Sequence, residues 1–281
     1  MARPYRSVLY IPAANARAME KAQGLSADAI IFDLEDAVAP GEKPAARDAL
    51  AAALANDYGA RARIVRINGL ATEWGQDDAR FCAGLKGADA VLIPKVDSSA
   101  DLDRVAAMIP DLPLWAMMET PLGMLNAAEI AAHSRLEGMV MGTNDLAKEL
   151  NSRFRPDRLA MQAALSLCLL AAKAHGKVIL DGVFNAFKDD DGLRAECEQG
   201  RDMGFDGKTL IHPAQLAIAN ACFAPTDAEI DLARRQIDAF TAAASEGKGV
   251  AVVDGKIVEN LHVETARRTL DRAKAIAAMA G

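Results

Sequence analysis

Short apolar runs recur along the chain at fairly even intervals. In order they are "SVLYIP" (7–12), "AIIFDLED" (29–36), "ARIVRIN" (62–68), "AVLIPKV" (90–96), "LPLWAMMET" (112–120), "LEGMVMGTND" (136–145), "KVILDGVF" (177–184) and "GKTLIHP" (207–213). They are rich in β-forming residues and nearly continuous in apolar character, the pattern of strands buried on both faces. Helical stretches lie between them. "NARAMEKAQG" (15–24) ends in Gly, a common helix stop. "GEKPAARDALAAALAND" (41–57) has Pro44 near its start. "SSADLDRVAAMIP" (98–110) begins with Ser caps, and 157–176 is long, apolar and closed by Gly176. The stretch 225–247 opens on the capping signature Thr226-Asp227-x-Glu229.

Strand–helix alternation repeated eight times predicts an α/β fold, a parallel (β/α)8 barrel. A doubly wound open sheet is the alternative; it usually has fewer strands and often a Gly-rich first turn, which is absent here. The tail differs. "VAVVDGKIVEN" reads as a hairpin turning at Asp254-Gly255, and a terminal helix follows. The expected organisation is therefore a barrel over 1–247 and a C-terminal hairpin-plus-helix lid over 248–281.

Composition narrows the function. The chain has 281 residues and is 51% hydrophobic, enough for a large core, but only 5% aromatic, so aliphatic residues must fill it. A net charge of −7 argues against nucleic acid as the main ligand, while leaving room for a local basic pocket for a small phosphate. No apolar run is long enough to span a bilayer, and the N-terminus lacks a signal-peptide core. The four cysteines, Cys82, Cys168, Cys197 and Cys222, lie far apart without metal-site spacing, which predicts reduced thiols in a cytoplasmic protein.

In such barrels the active site lies at the C-terminal ends of the strands. The residues there are Asp33, Glu35 and Asp36; Arg66 and Asn68; Lys95; Glu119 and Thr120; Asn144 and Asp145; Asp181 and Asn185; and His212. Charged groups converging on one mouth are costly unless they bind something. Oxygen ligands without clustered His or Cys favour Mg²⁺ or Mn²⁺, and Glu119 and Asp145 are the natural ligands. Arg66 can grip a carboxylate or stabilise a developing enolate oxygen. Each acid taken singly could instead cap the next helix, as Asp36 and Asn144 could, and Lys95 could be an ordinary ion pair.

At these same residues the chain resembles the citrate lyase β-subunit-like branch of the HpcH/HpaI aldolase family, which includes malyl-CoA and citramalyl-CoA lyases and malyl-CoA thioesterases. The pieces that carry the resemblance are "RSVLYIP", "IIFDLEDAV", "VRIN", "IPKV", "METPLG", "GTNDLAKEL", "DGVF" and "KTLIHPAQ". The resemblance implies a Mg²⁺-dependent enzyme acting on a coenzyme A thioester. Glu119 and Asp145 would hold the metal, and Glu35 would support it. Asp33, Glu35, Arg66 and the lid residue Glu259 would form the catalytic set, with Arg66 on the substrate acid and the thioester oxygen. Lys95 and the loop Gly142, Thr143, Asn144 would meet the substrate. Arg6 and Ile211, His212 and Pro213 would line the coenzyme A site. The expected reaction is cleavage or condensation of a 3-hydroxy dicarboxylyl-CoA into acetyl-CoA and a 2-oxo acid. The alternatives are hydrolysis of (3S)-malyl-CoA and the citrate lyase β reaction on a carrier-protein thioester. The family assembly implies a homotrimer, or a hexamer, with lids exchanged between subunits. Two departures stand out: Pro12-Ala13 where Pro-Gly is usual, and Glu259 where many lyases place a lid Asp.

Overall fold

The computed structural model describes residues 3–279, and each apolar run forms a strand. The strands are β1 (Ser7–Pro12), β2 (Ala29–Asp33), β3 (Ala62–Arg66), β4 (Ala90–Ile93), β5 (Leu114–Met118), β6 (Leu136–Met141), β7 (Val178–Asp181) and β8 (Gly207–Leu210). All pair in parallel and in sequence order. β8 pairs back onto β1, from Ser7↔Lys208 to Leu9↔Leu210, which closes a (β/α)8 barrel.

Successive residues of a strand point to opposite faces, so the closed sheet sorts each run into two sets. Val8, Ala29, Ile31, Ala62, Ile64, Ala90, Leu92, Trp115, Met117, Val140 and Leu180 form one cluster inside the barrel. Residues one step out of phase, such as Leu9, Ile30, Phe32, Val65, Val91 and Met139, join the core beneath the helices. Trp115 takes so much of the interior that β6 must carry glycine beside it: a Cβ on Gly138 would lie 2.5 Å from the indole ring.

Helices form at Ala16–Ala22, Lys43–Leu54, Ser99–Met108, Gln162–Ala174 and Asp227–Ser245, where the sequence predicts them. Ser98 and Thr226 each complete a capping box, with Asp101 and Glu229. The fourth starts later than expected, because the segment before it runs as a loop in which Arg158 takes φ 51° and is buried. Two long helices escape the sequence reading, Gly75–Gly84 and Asp190–Met203. The second buries only Leu193, Cys197 and Gly200, a stripe too narrow to stand out in an acidic stretch. Among the described residues no helix is long and apolar enough to cross a membrane. All four cysteines are buried, and burial raises their thiol pKa values.

The chain divides into two compact units between Phe223 and Ala224. The barrel is one. The other holds the Asp227–Ser245 helix, which the sequence reading assigned to the barrel, with β9 (Ala251–Val253), β10 (Lys256–Val258) and the helix Asn260–Met279. β9 and β10 form the expected hairpin, and Asp254 and Gly255 at its turn have φ of 51° and 73°. Ala251, Val253, Val258 and Val263 build a small core of this unit's own.

Candidate active site

Where the inward-facing phase of the strands runs past the apolar interior, it reaches polar residues. Asp33 ends β2, Arg66 ends β3, and Glu119 immediately follows β5. With Tyr10, Gly142, Asp145 and others they line a cavity of about 290 Å³ at the C-terminal end of the barrel.

Arg66 organises one side of it. Its Nε and Nη2 donate to the two carboxylate oxygens of Asp33 at 2.7 and 2.6 Å, a two-pronged grip that fixes the guanidinium plane. Its Nη1 lies 3.0 Å from Glu35 Oε2, and its Cζ stands 4.9 Å from the centre of the Tyr10 ring. Asp33 also accepts from the backbone N–H groups of Glu35 and Ala37, so the same carboxylate shapes the loop after β2. That loop is braced from below by Lys43, whose ammonium donates to the carbonyls of Leu34 and Glu35 and to Asn68 Oδ1. Asn68 in turn bonds Asp78 and the Leu34 carbonyl, so this strand-tip residue supports the site rather than facing it.

The carboxylates gather on the other side. Glu119 is 1% exposed, and its acid is pushed up to about 7, first by burial and then by the nearby charge of Glu35. Glu35 is raised as well, again chiefly by burial, with Arg66 pulling the other way. Its Oε2 is buried without a hydrogen bond despite the nearby guanidinium. Lys95 holds the acids together. Its N–H donates to Glu119 Oε1 at 2.8 Å, and its Nζ lies 3.4 Å from Glu35 Oε1 and 3.7 Å from Asp145 Oδ1. To do so Lys95 takes φ 50°, a conformation uncommon outside glycine. Gly142 is needed for a different reason: a Cβ there would lie 2.4 Å from Glu119 Cβ. Thr143 and Asn144 line the cavity, and the amides of Asn144 and Asn185 bond each other reciprocally.

The barrel thus brings together Asp33, Glu35, Arg66, Lys95, Glu119, Gly142, Thr143, Asn144 and Asp145. Ile211 lines the same cavity. His212 turns away from it, stacking on Phe187 at 4.6 Å and accepting from the Ala214 N–H, while Pro213 opens the short turn that follows. Arg6 requires a correction. It precedes β1, at the N-terminal end of the barrel, and is held there by two side-chain bonds to Asp28 at 2.9 and 2.7 Å. It therefore braces the floor and does not line a mouth-side coenzyme A site. Asp181 is also displaced from the expected ring. It lies out of phase with Leu180, faces the helices, and pairs with the fully buried Lys208 and with Arg158. Glu259 belongs to the other compact unit, where it is exposed and its N–H donates to His262 Nδ1. Tyr10 and Thr209 are polar cavity residues that sequence reasoning missed, although Tyr10's even spacing from the inward Val8 was a usable signal.

Comparison with known proteins gives the chain a family. The model of the HpcH/HpaI aldolase/citrate lyase family matches residues 6–213. The chain belongs to that family. Within the HpcH/HpaI family it is 72% identical over 278 residues to a (3S)-malyl-CoA thioesterase of Cereibacter sphaeroides (strain ATCC 17025 / ATH 2.4.3), covering 99% of this chain and 97% of the relative. It is 36% identical to the citrate lyase subunit beta of Escherichia coli (strain K12), over 97% and 94% of the two chains. Among solved structures, CitE from Mycobacterium tuberculosis in complex with magnesium, acetoacetate and coenzyme A superposes with a TM-score of 0.81. That protein is 32% identical, and the match covers 97% of this chain and 98% of the other. The chain is an enzyme of the HpcH/HpaI family.

Proposed function

We propose that this enzyme hydrolyses the thioester of a malyl-CoA-type substrate, releasing coenzyme A and the free hydroxy dicarboxylic acid. The observation that carries this reading is the 72% identity to a (3S)-malyl-CoA thioesterase along nearly the whole of both chains. Carbon–carbon cleavage, the reaction first expected from the sequence, is the second reading. The 36% identity to a citrate lyase subunit beta supports it, and the strand-tip acids and arginine of this chain suit both reactions.

A divalent ion fits the residues present. The acids at the mouth offer oxygen donors, Glu119 is pushed up to about 7 by burial and a neighbouring carboxylate, and Glu35 Oε2 is buried without a hydrogen bond, 3.0 Å from the Arg66 guanidinium. Among the described residues no three acid, His or Cys side chains form a ready-made cage. Mg²⁺ does not need one, since it commonly takes one or two carboxylates and keeps its waters. Glu119 and Asp145 would hold it, and when bound it supplies a Lewis-acidic centre for substrate oxygens.

The chain's own groups do the rest. Arg66, locked to Asp33, presents a fixed cationic face to the substrate acid or the thioester oxygen. Lys95 Nζ is half-exposed between Glu35 and Asp145 and can pass its charge to an incoming carboxylate. Gly142, Thr143 and Asn144 form the wall against which the acid end would rest. Glu259 retains the carboxylate of the lid position, one methylene longer than Asp, and its proposed work is to move a proton during turnover.

The test is a product assay with (3S)-malyl-CoA and Mg²⁺, measuring free thiol and glyoxylate together. Thiol with malate and no glyoxylate is the expected result. Glyoxylate with acetyl-CoA and no early thiol would overturn hydrolysis in favour of cleavage. Glu259→Asp and Glu259→Gln then test the proton-moving role: the first should keep most of the rate and the second lose it.

A further inference from the structure

Tyr10 has no part in the reading above, yet it stands in the same cavity. Its surroundings are unusual for a phenol. The ring lies against the Arg66 guanidinium, and that guanidinium is itself pinned by two bonds to Asp33. The ring is thus fixed by a neighbour that cannot easily move. The hydroxyl, by contrast, donates to the thioether sulfur of Met117 at 3.3 Å. A thioether is a weak acceptor, and the hydroxyl of this half-buried tyrosine gains from a better one.

The neighbouring cations already face carboxylates. Arg66 spends Nε and Nη2 on Asp33 and turns Nη1 toward Glu35, and the Lys95 N–H is given to Glu119. Among the described residues the Tyr10 hydroxyl has Met117 Sδ, and no carboxylate, as its acceptor. Burial, reinforced by the charges of Asp33, Glu119 and Glu35 against that of Arg66, keeps the phenol protonated, so it is a donor and not a base.

We infer that Tyr10 is a catalytic residue: its hydroxyl leaves Met117 Sδ for the carbonyl oxygen of the bound thioester and holds the negative charge that builds there. This role rests on the proposed hydrolysis. Water's oxygen bonds to the carbonyl carbon and the C=O π pair moves onto the carbonyl oxygen. The pair then returns, the C–S bond breaks with its electrons on sulfur, and the products are the carboxylate, the thiol and one proton. Nothing is oxidised or reduced, and Tyr10 keeps its own proton throughout. The same oxygen bears the enolate charge if a C–C bond breaks instead, so the role follows the thioester whichever product forms.

Tyr10→Phe removes the hydroxyl and keeps the ring on Arg66. In the Mg²⁺-loaded full-length enzyme with (3S)-malyl-CoA, kcat should fall on the order of 100-fold, as when one oxyanion donor is lost. KM for malyl-CoA, Mn²⁺ affinity by electron paramagnetic resonance, and melting temperature should stay close to wild type. The wild-type product decides separately between hydrolysis and cleavage, and the Tyr10→Phe ratio is taken on that product. A kcat close to wild type would overturn the inference. So would a loss of kcat matched by an equal loss of Mn²⁺ affinity or a lower melting temperature, which would make Tyr10 only a brace for Arg66. A wild-type enzyme that yields neither thiol nor glyoxylate would sink the functional reading and this role with it.

Discussion

Glu119→Gln should stabilise the metal-free protein while abolishing turnover. The acid is buried, and both its burial and the charge of Glu35 oppose ionisation, moving it from 4.5 to about 7. A carboxyl raised in the folded state contributes stability that is fully present below its unfolded value of 4.5 and is lost as pH climbs through 7. At pH 8 the folded protein therefore carries a penalty on the order of 3 kcal/mol from this one group, whereas at pH 5 the penalty is under about 1 kcal/mol. Glutamine is uncharged at both pH values, and its carbonyl can still accept the Lys95 N–H that Glu119 accepts at 2.8 Å. In a chain of this size the gain corresponds to a rise in melting temperature of roughly 5 °C at pH 8. The assay is a pair of thermal melts in chelator, at pH 5 and pH 8, for both proteins. A variant no more stable than wild type at pH 8 would refute the reasoning. So would an equal gain at both pH values, because the effect would then not be electrostatic.

Three further outcomes are expected. Gly142→Ala places a Cβ 2.4 Å from Glu119 Cβ and 2.5 Å from its Oε2, so the tip of β5 must shift. The cost is roughly 1–3 kcal/mol of stability, and Mn²⁺ titration should show weakened binding; unchanged binding would mean the wall is softer than its geometry. Lys208→Met leaves Asp181 and Glu196 without the buried ammonium that bonds them at 3.0 and 2.6 Å. Denaturant unfolding should register a loss of about 3–5 kcal/mol, with kcat of the folded fraction unchanged, since Lys208 faces the helices. Arg66→Lys forfeits the two-pronged grip on Asp33, and kcat should drop on the order of 100-fold with the circular dichroism spectrum intact; a near-normal rate would show that charge alone suffices there.

Much of the site was legible because a barrel strand carries two simple signals. Its apolar run marks where it lies, and its last residues mark the mouth. Asp33, Arg66 and Glu119 were readable on both counts, and the glycine and acid of "GTND" followed from the same logic. Strand phase was the signal left unused. Counting by twos from Val8 reaches Tyr10, and counting from Leu180 passes over Asp181, which sets a cavity residue apart from one that faces the helices. Arg6 misled because a resemblance carries residue types without saying at which end of a strand they sit.

By itself the sequence determined the eight strands, their order and the polarity of their tips, since local alternation and burial on both faces leave an imprint on the residues concerned. Tertiary structure alone decided which charges meet. Arg66 grips a carboxylate 33 positions away, Lys95 reaches acids from three other segments, and Lys208 finds Asp181 across neighbouring strands. It also decided the backbone of Lys95 and the need for glycine at 142, both imposed by how closely the strand ends converge. The reason is geometric. Periodicity is a property of neighbours in the chain, whereas the pairing and raised pKa values of buried acids depend on groups brought together only when the sheet closes.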